Sequence, residues 1–173
     1  MTKRVAFVTG GNGGIGSAIC RELANRGNQV VAGYFPPEEE AAEAWQKEMH
    51  DQGYSIALAA VDVSDFEDCE RAVNEITEEF GAIDILVNCA GITRDGTLKK
   101  MPEANWTAVI STNLDSAFNV TRHVINGMLD RGWGRIINVA SVNGQRGQFG
   151  QANYSAAKAG MHGFTMAVAL ETA

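Results

Sequence analysis

Five glycines fall within the seven residues Gly10-Gly11-Asn12-Gly13-Gly14-Ile15-Gly16. They follow the apolar run Val5-Ala6-Phe7-Val8 and precede a stretch in which Ile15, Ala18, Ile19 and Leu23 recur with helical period. A chain can carry so many glycines in one short loop only where its backbone must turn sharply or be approached closely. Between a strand and a helix, such a loop leaves free N–H groups at the helix N-terminus, where the dipole favours an anion such as a pyrophosphate. The loop fits two spacings at once, G-x-G-x-x-G from Gly11 to Gly16 and G-x-x-x-G-x-G from Gly10 to Gly16. Either is weak alone, and the strand–turn–helix context is what makes it strong.

The rest of the chain repeats the same alternation. Strands are predicted at 5–8, 30–33, 56–61, 83–87 and 135–139. Helices are predicted at 15–26 with Gly27 as stop, 36–52, from a cap at Ser64 to Phe80 with Gly81 as stop, 103–129 and 153–171. Repeated β-α units imply a Rossmann-type, doubly wound parallel sheet in a three-layer α/β/α fold. Right-handed crossovers place its strands in the order 3-2-1-4-5. The 173 residues suit a single dinucleotide-binding domain, 1–173.

Charge and composition exclude several functions. Fourteen basic against 21 acidic residues give a net charge of -7, with no basic tract, which speaks against nucleic acid as a partner. Cys20, Cys69 and Cys89 are far apart and odd in number, and His50, His123 and His162 are scattered, so neither a disulfide framework nor a metal site is expected. No apolar stretch suits a signal peptide or membrane span, and a cytoplasmic location is expected.

A second motif lies near the end. In Tyr154-Ser155-Ala156-Ala157-Lys158 the phenol and the amine share a helix face, and Ser141 follows the fifth predicted strand. Ligands bind at the carboxyl ends of strands in open α/β sheets. Tyrosine ordinarily titrates near ~10, and a neighbouring cation favours its phenolate. A proton donor, a tuning charge and a hydroxyl for a carbonyl oxygen are thus available. Asp62 follows the third strand, where it could accept from an adenine amino group or be a plain loop acid. Asn88-Cys89-Ala90-Gly91 ends the fourth strand, as a backbone approach to the cofactor or a simple turn. Asn113 is either a mid-helix residue with a task or a solvated surface asparagine. Phe149 either packs on a substrate chain or anchors its own loop.

Together these residues, in this order, resemble the short-chain dehydrogenase/reductase family over the whole chain, with Cys89 where the family usually has a second Asn. The resemblance implies Asn113, Ser141, Tyr154 and Lys158 as the catalytic set, with Asn113 helping to hold a water that links Lys158 to solvent. It implies a cofactor surface of Gly10, Asn12, Gly13, Gly14, Ile15, Gly16, Gly33, Val61, Asp62, Val63, Asn88, Cys89, Ala90, Gly91, Ile92 and Thr93, with Tyr154 and Lys158. The segments Gly132-Trp133-Gly134-Arg135 and Gln148-Phe149-Gly150-Gln151 look like those of the bacterial acetoacetyl-CoA reductases of polyhydroxybutyrate synthesis. That likeness implies an acyl-CoA substrate over Asp95, Ser141, Gln148, Phe149, Gly150 and Gln151, and a homotetramer. The alternatives are a 3-oxoacyl-carrier-protein reductase and a non-catalytic nucleotide-binding regulatory module. The resemblance implies NADP(H). NAD(H) is the alternative, because the second strand ends Gly33-Tyr34-Phe35 without a following Arg or Lys, and Glu38, Glu39 and Glu40 are read as serving the helix dipole. Members of the family continue past the position of Ala173 with further parallel strands, so these residues are expected to be an N-terminal fragment lacking the last strands, poorly soluble or inactive alone.

Overall fold

The first strand, β1 (Val5–Val8), is buried along its whole length, which is what a central parallel strand covered on both faces requires. The computed structural model describes residues 3–173. It builds one five-stranded parallel sheet from β1, β2 (Gln29–Tyr34), β3 (Ile56–Ala60), β4 (Ile83–Asn88) and β5 (Arg135–Asn138). The order is β3-β2-β1-β4-β5, as right-handed crossovers demand. Parallel register runs from Val5 opposite Gln29 to Val8 opposite Ala32, and from Val8 opposite Val87 on the other side.

Helices α1 (Gly14–Asn25), α2 (Glu39–Asp51), α3 (Phe66–Phe80), α4 (Glu103–Ile110), α5 (Ser116–Asp130), α6 (Asn143–Arg146) and α7 (Ala152–Glu171) complete the chain. Alternation along the strands divides the core in two. Phe7, Val31 and Leu86 pack with Cys69, Val73 and Ile76 of α3 and Val120 and Val124 of α5. Val8, Val30, Ala32 and Val87 pack with Cys20 of α1 and Met49 of α2. Gly27 and Gly81, at φ of 81° and 96°, end α1 and α3 where only glycine turns freely.

Four local expectations are corrected. Asp65, rather than Ser64, caps α3, accepting from the N–H groups of Glu67 and Asp68 at 2.9 and 3.0 Å. The Ser64 hydroxyl instead donates to Asp62 at 2.6 Å. The predicted 103–129 helix is interrupted at Ser111–Asp115 by one wide π turn, a feature that often marks functional sites. Residues 36–52 are a 3-10 turn, Pro36–Glu38, followed by α2, so Glu38 stands outside the helix. Ile15 is 63% exposed rather than on the core face of α1.

Candidate active site

The glycine loop contains two kinds of glycine. A Cβ on Gly16 would lie 2.1 Å from the carbonyl oxygen of Gly10, and one on Gly11 would lie 2.6 Å from the Cβ of Ala32. Gly10 has φ of 62° and would press on Ala90 at 3.0 Å. These three are glycine because the protein itself fills the space. A Cβ on Gly14 would meet nothing within 4 Å, and Gly14 lacks a positive φ, so nothing in the fold forbids a side chain there. Its bareness leaves the backbone open to approach from outside. No side chain caps α1 at Gly13, which leaves the first N–H groups of the helix free for an anion. The loop opens into a cleft of about 690 Å³ at the carboxyl ends of the strands. The Thr9 hydroxyl fixes its floor, accepting from the N–H groups of Cys89 and Ala90 at 3.0 and 3.1 Å.

Beside the cleft, α7 carries Tyr154 and Lys158 on one face, with the Lys158 Nζ 5.9 Å from the Tyr154 ring centroid. Lys158 is only 4% exposed and donates to the Val139 carbonyl at 2.7 Å. It makes no ion pair among the described residues, and burial pushes its ammonium below its ordinary pKa, with Cys89 acting weakly the other way. Ser141 lies just beyond β5, and its Oγ accepts from the Asn143 N–H at 3.1 Å. The turn that carries it is docked on α7 at the lysine, because a Cβ on Gly144 would lie 2.6 Å from the carbonyl carbon of Lys158.

Amide side chains hold these segments together over long sequence distances. Asn113, fully buried on the π turn, accepts from the Ile92 N–H at 2.8 Å and donates to the Ile92 carbonyl at 2.9 Å. Asn153, also fully buried, donates to the carbonyls of Arg94 and Asn105 and accepts from the Tyr154 N–H at 2.8 Å. Asn143 donates to Gln151 at 2.9 Å, and Gln151 donates to both Asp95 carboxylate oxygens at 3.1 and 3.0 Å. Main-chain pairing of Gly96 with Gly150 at 2.8 Å closes the same seam. Sequence reading missed Thr9 as a strut, along with Asn143 and Asn153. The available signal for Asn153 was a second buried-type amide directly before the tyrosine.

The profile of the short chain dehydrogenases matches residues 4–173. The chain belongs to the short-chain dehydrogenase family. It is 65% identical over 98% of its length to a protein of Allochromatium vinosum named acetoacetyl-CoA reductase, covering 69% of that relative. An acetoacetyl-CoA reductase of Cupriavidus necator is 54% identical over the whole chain, which covers 70% of it. A 3-oxoacyl-[acyl-carrier-protein] reductase of Vibrio cholerae is 46% identical over 98% of the chain and 68% of the relative. The chain is thus an oxidoreductase of a family that uses a nicotinamide cofactor, as the motifs implied.

In this short-chain dehydrogenase the cleft is lined by Gly10, Asn12, Gly13, Gly14, Ile15, Gly16, Gly33, Val61, Asp62, Val63, Cys89, Ala90, Gly91 and Ile92. The bare Gly13–Gly14 backbone at an uncapped helix start fits a pyrophosphate. Asn88 and Thr93, expected as cofactor contacts, do not line the cleft, whereas Asp62 does. Asn88 does not line the cleft; its amide is buried and donates to Thr121 and Asn138 at 3.2 and 2.8 Å, joining β4 to α5 and β5. One oxygen of Asp62 closes a local turn by accepting from Ser64 N–H and Oγ. Thr93 is exposed on the loop after β4 and is not part of the cleft wall.

The buried setting of Asn113 removes the solvated-surface alternative, and its side-chain amide grips Ile92. Asp95 and Gln151, expected to face substrate, are bonded to each other. Gln148 and Phe149 are exposed beside Gly150, and Phe149, at 87% exposure, does not anchor its loop. The described residues contain no cluster of three His, Cys, Asp or Glu groups that could hold a metal ion, and no helix long and apolar enough to cross a membrane.

Proposed function

We propose that the chain reduces the 3-oxo group of acetoacetyl-CoA to give 3-hydroxybutanoyl-CoA, within polyhydroxybutyrate synthesis. The observation that carries the chemistry is the buried Lys158 ammonium beside the Tyr154 ring, with Ser141 docked against the same helix. The names of relatives at 65% and 54% identity support the substrate. A bound reduced nicotinamide supplies a hydride to the C3 carbonyl carbon. Tyr154 gives its phenolic proton to the oxygen, which becomes the hydroxyl. Lys158 stabilises the phenolate left behind, and its low exposure keeps water from screening that attraction. Ser141 accepts from Asn143 through one lone pair, so its own O–H is free to donate to the carbonyl oxygen. Exposed Phe149 offers an apolar surface to the thioester arm. The same reading carries a homotetramer, supported by the exposed Trp106 and Phe118 of α4 and α5.

The carrier-protein relative favours a second reading, reduction of 3-oxoacyl-carrier-protein thioesters. A net charge of -7 opposes docking of an acidic carrier. The test is cofactor oxidation with acetoacetyl-CoA and acetoacetyl-carrier protein side by side, in the parent and in Tyr154→Phe. We expect the CoA thioester to be turned over faster. The variant should bind dinucleotide normally and lose about 100- to 10,000-fold in kcat, the usual contribution of a positioned acid. Faster turnover of the carrier thioester, or near-normal turnover by Tyr154→Phe, would reject the proposal.

A further inference from the structure

We propose that Asn153 is a positioning residue for the reduction: its side chain ties the Tyr154 main chain to the cleft wall and so sets where the phenol stands. The inference rests on the role proposed above for Tyr154 and adds a residue that lines no part of the cleft. Hydride and proton must reach the two atoms of one carbonyl group. The phenol and the cleft wall that would hold the nicotinamide come from distant segments, α7 and the loop after β4. Something must register one against the other, and an error of about 1 Å between reacting groups can cost about 100-fold in rate.

Asn153 makes that connection with every polar atom of its side chain. It is fully buried. Its Oδ1 accepts from the Tyr154 N–H at 2.8 Å, and its Nδ2 donates to the carbonyls of Arg94 at 3.1 Å and Asn105 at 3.2 Å. Turned over, the amide would set its oxygen against two carbonyls and its NH2 against an N–H, so one orientation alone satisfies all three bonds. The Tyr154 N–H lies in the first turn of α7, where N–H groups have no partner within the helix, and the side chain of the N-cap Gln151 provides none. Asn153 supplies that partner.

The far ends of these bonds are themselves fixed. Arg94 lines the cleft with Ile92, and Asn113 holds Ile92 through both its N–H and its carbonyl. Asn105 belongs to α4. One turn beyond Tyr154, α7 is anchored by the Lys158 bond to Val139 and the close approach of Gly144. Before Tyr154, Gln151 bonds Asp95, but at an exposed site where water competes. Asn153 is therefore the buried tie between the tyrosine and the wall. Because Asn113 holds Ile92 independently, loss of Asn153 moves the tyrosine and spares the cleft.

The test is steady-state kinetics of the full chain with acetoacetyl-CoA, beside dinucleotide titration and circular dichroism. Asn153→Ala should lower kcat about 100-fold and leave the dinucleotide Kd within about threefold of the parent. Asn153→Ser keeps a small polar group able to bond a nearby N–H, and should lose kcat similarly with a smaller fall in Tm. In a Tyr154→Phe chain, Asn153→Ala should lower kcat by less than about threefold more, because it acts through the phenol. Gln46→Ala is the control. It deletes an amide-to-carbonyl bond of 2.9 Å from α2 to Ile56 of β3, at the opposite edge of the sheet from β5, and should lower Tm without changing kcat. Folded Asn153 variants with kcat within about threefold of the parent, a dinucleotide Kd weakened in step with kcat, or a loss that multiplies in full with that of Tyr154→Phe overturns the inference. Near-normal turnover by Tyr154→Phe sinks the reading on which it rests. An inactive Tyr154→Phe beside a fully active Asn153→Ala sinks the inference and leaves that reading standing.

Discussion

Gly14 and Gly16 stand two residues apart in one loop, yet substitution by alanine should affect them in opposite ways. At Gly14 a new Cβ meets no protein atom within 4 Å, and the residue opens α1 with an ordinary φ. Replacing a glycine whose conformation alanine can adopt stabilises by about 0.4–1 kcal/mol, through the smaller entropy of the unfolded chain. For a chain of this length that raises Tm by about 1–4 °C. The same methyl would occupy the space through which we propose a phosphate oxygen reaches the helix N–H groups. Loss of one charge-assisted hydrogen bond is about 1.5–3 kcal/mol, hence about tenfold or more in Kd. At Gly16 the Cβ falls 2.1 Å from the Gly10 oxygen and 2.8 Å from the Gly11 Cα, and both are backbone atoms with no rotamer to yield. Overpacking of this kind costs about 1–3 kcal/mol, or a fall of about 2–12 °C. Thermal unfolding followed by circular dichroism at a fixed scan rate, paired with dinucleotide titration, separates the two. If Gly14→Ala lost stability and kept its affinity, or if Gly16→Ala melted no earlier than the parent, the division of the loop into packing and ligand-facing glycines would be wrong.

Further outcomes follow from the same contacts. Asn113→Ala removes both bonds to Ile92 from a fully buried position, and should cost about 2–4 kcal/mol in urea denaturation; a loss under about 1 kcal/mol would contradict the clamp. Gln151→Glu sets a carboxylate against Asp95 and should lower turnover at least about tenfold, with partial rescue by Asp95→Asn in the same chain; no effect, or no rescue, argues against the seam. Lys158→Met should abolish turnover, and its stability relative to the parent should depend on pH. The folded-state pKa of Lys158 lies below its unfolded value of 10.5, so the burial penalty is fully present below the folded pKa. It is relieved as pH rises through that value towards 10.5, where the unfolded state binds more protons than the folded one. The parent should therefore gain Tm relative to Lys158→Met across that window, and a flat or falling difference would refute the assignment.

What could be read from residues alone followed the range of the interactions involved. The sheet order and the ends of α1 and α3 were legible because buried apolar runs and the left-handed Gly27 and Gly81 act locally. The cap of α3 was misplaced by one residue because Ser64 and Asp65 are both good caps. The choice falls to Asp62, which takes the Ser64 hydroxyl into its own turn. Three consecutive glutamates look alike until the start of α2 divides them, leaving Glu38 at the cleft.

The proposed reactive groups stand out in the sequence for a chemical reason: a proton donor, a cation and a hydroxyl must be particular residue types, as Tyr154, Lys158 and Ser141 are. Their frame carries no such demand. Asn113 meets Ile92 across 21 positions, Asn153 meets Arg94 across 59, and Gln151 meets Asp95 across 56. Any well-placed amide could make those bonds, so nothing in the local sequence distinguishes them from surface polar residues. The wide turn at Ser111–Asp115 contains no Pro or Gly to announce it. It coincides with the place where Asn113 holds the loop after β4, and that loop forms the wall between the glycine cradle and Tyr154. A helix that kept its ordinary pitch there would shift the Asn113 amide around the axis, and both Ile92 bonds would be lost together. The irregularity in α4–α5 and the placement of the cleft wall are therefore one structural fact, visible only once the two segments are packed.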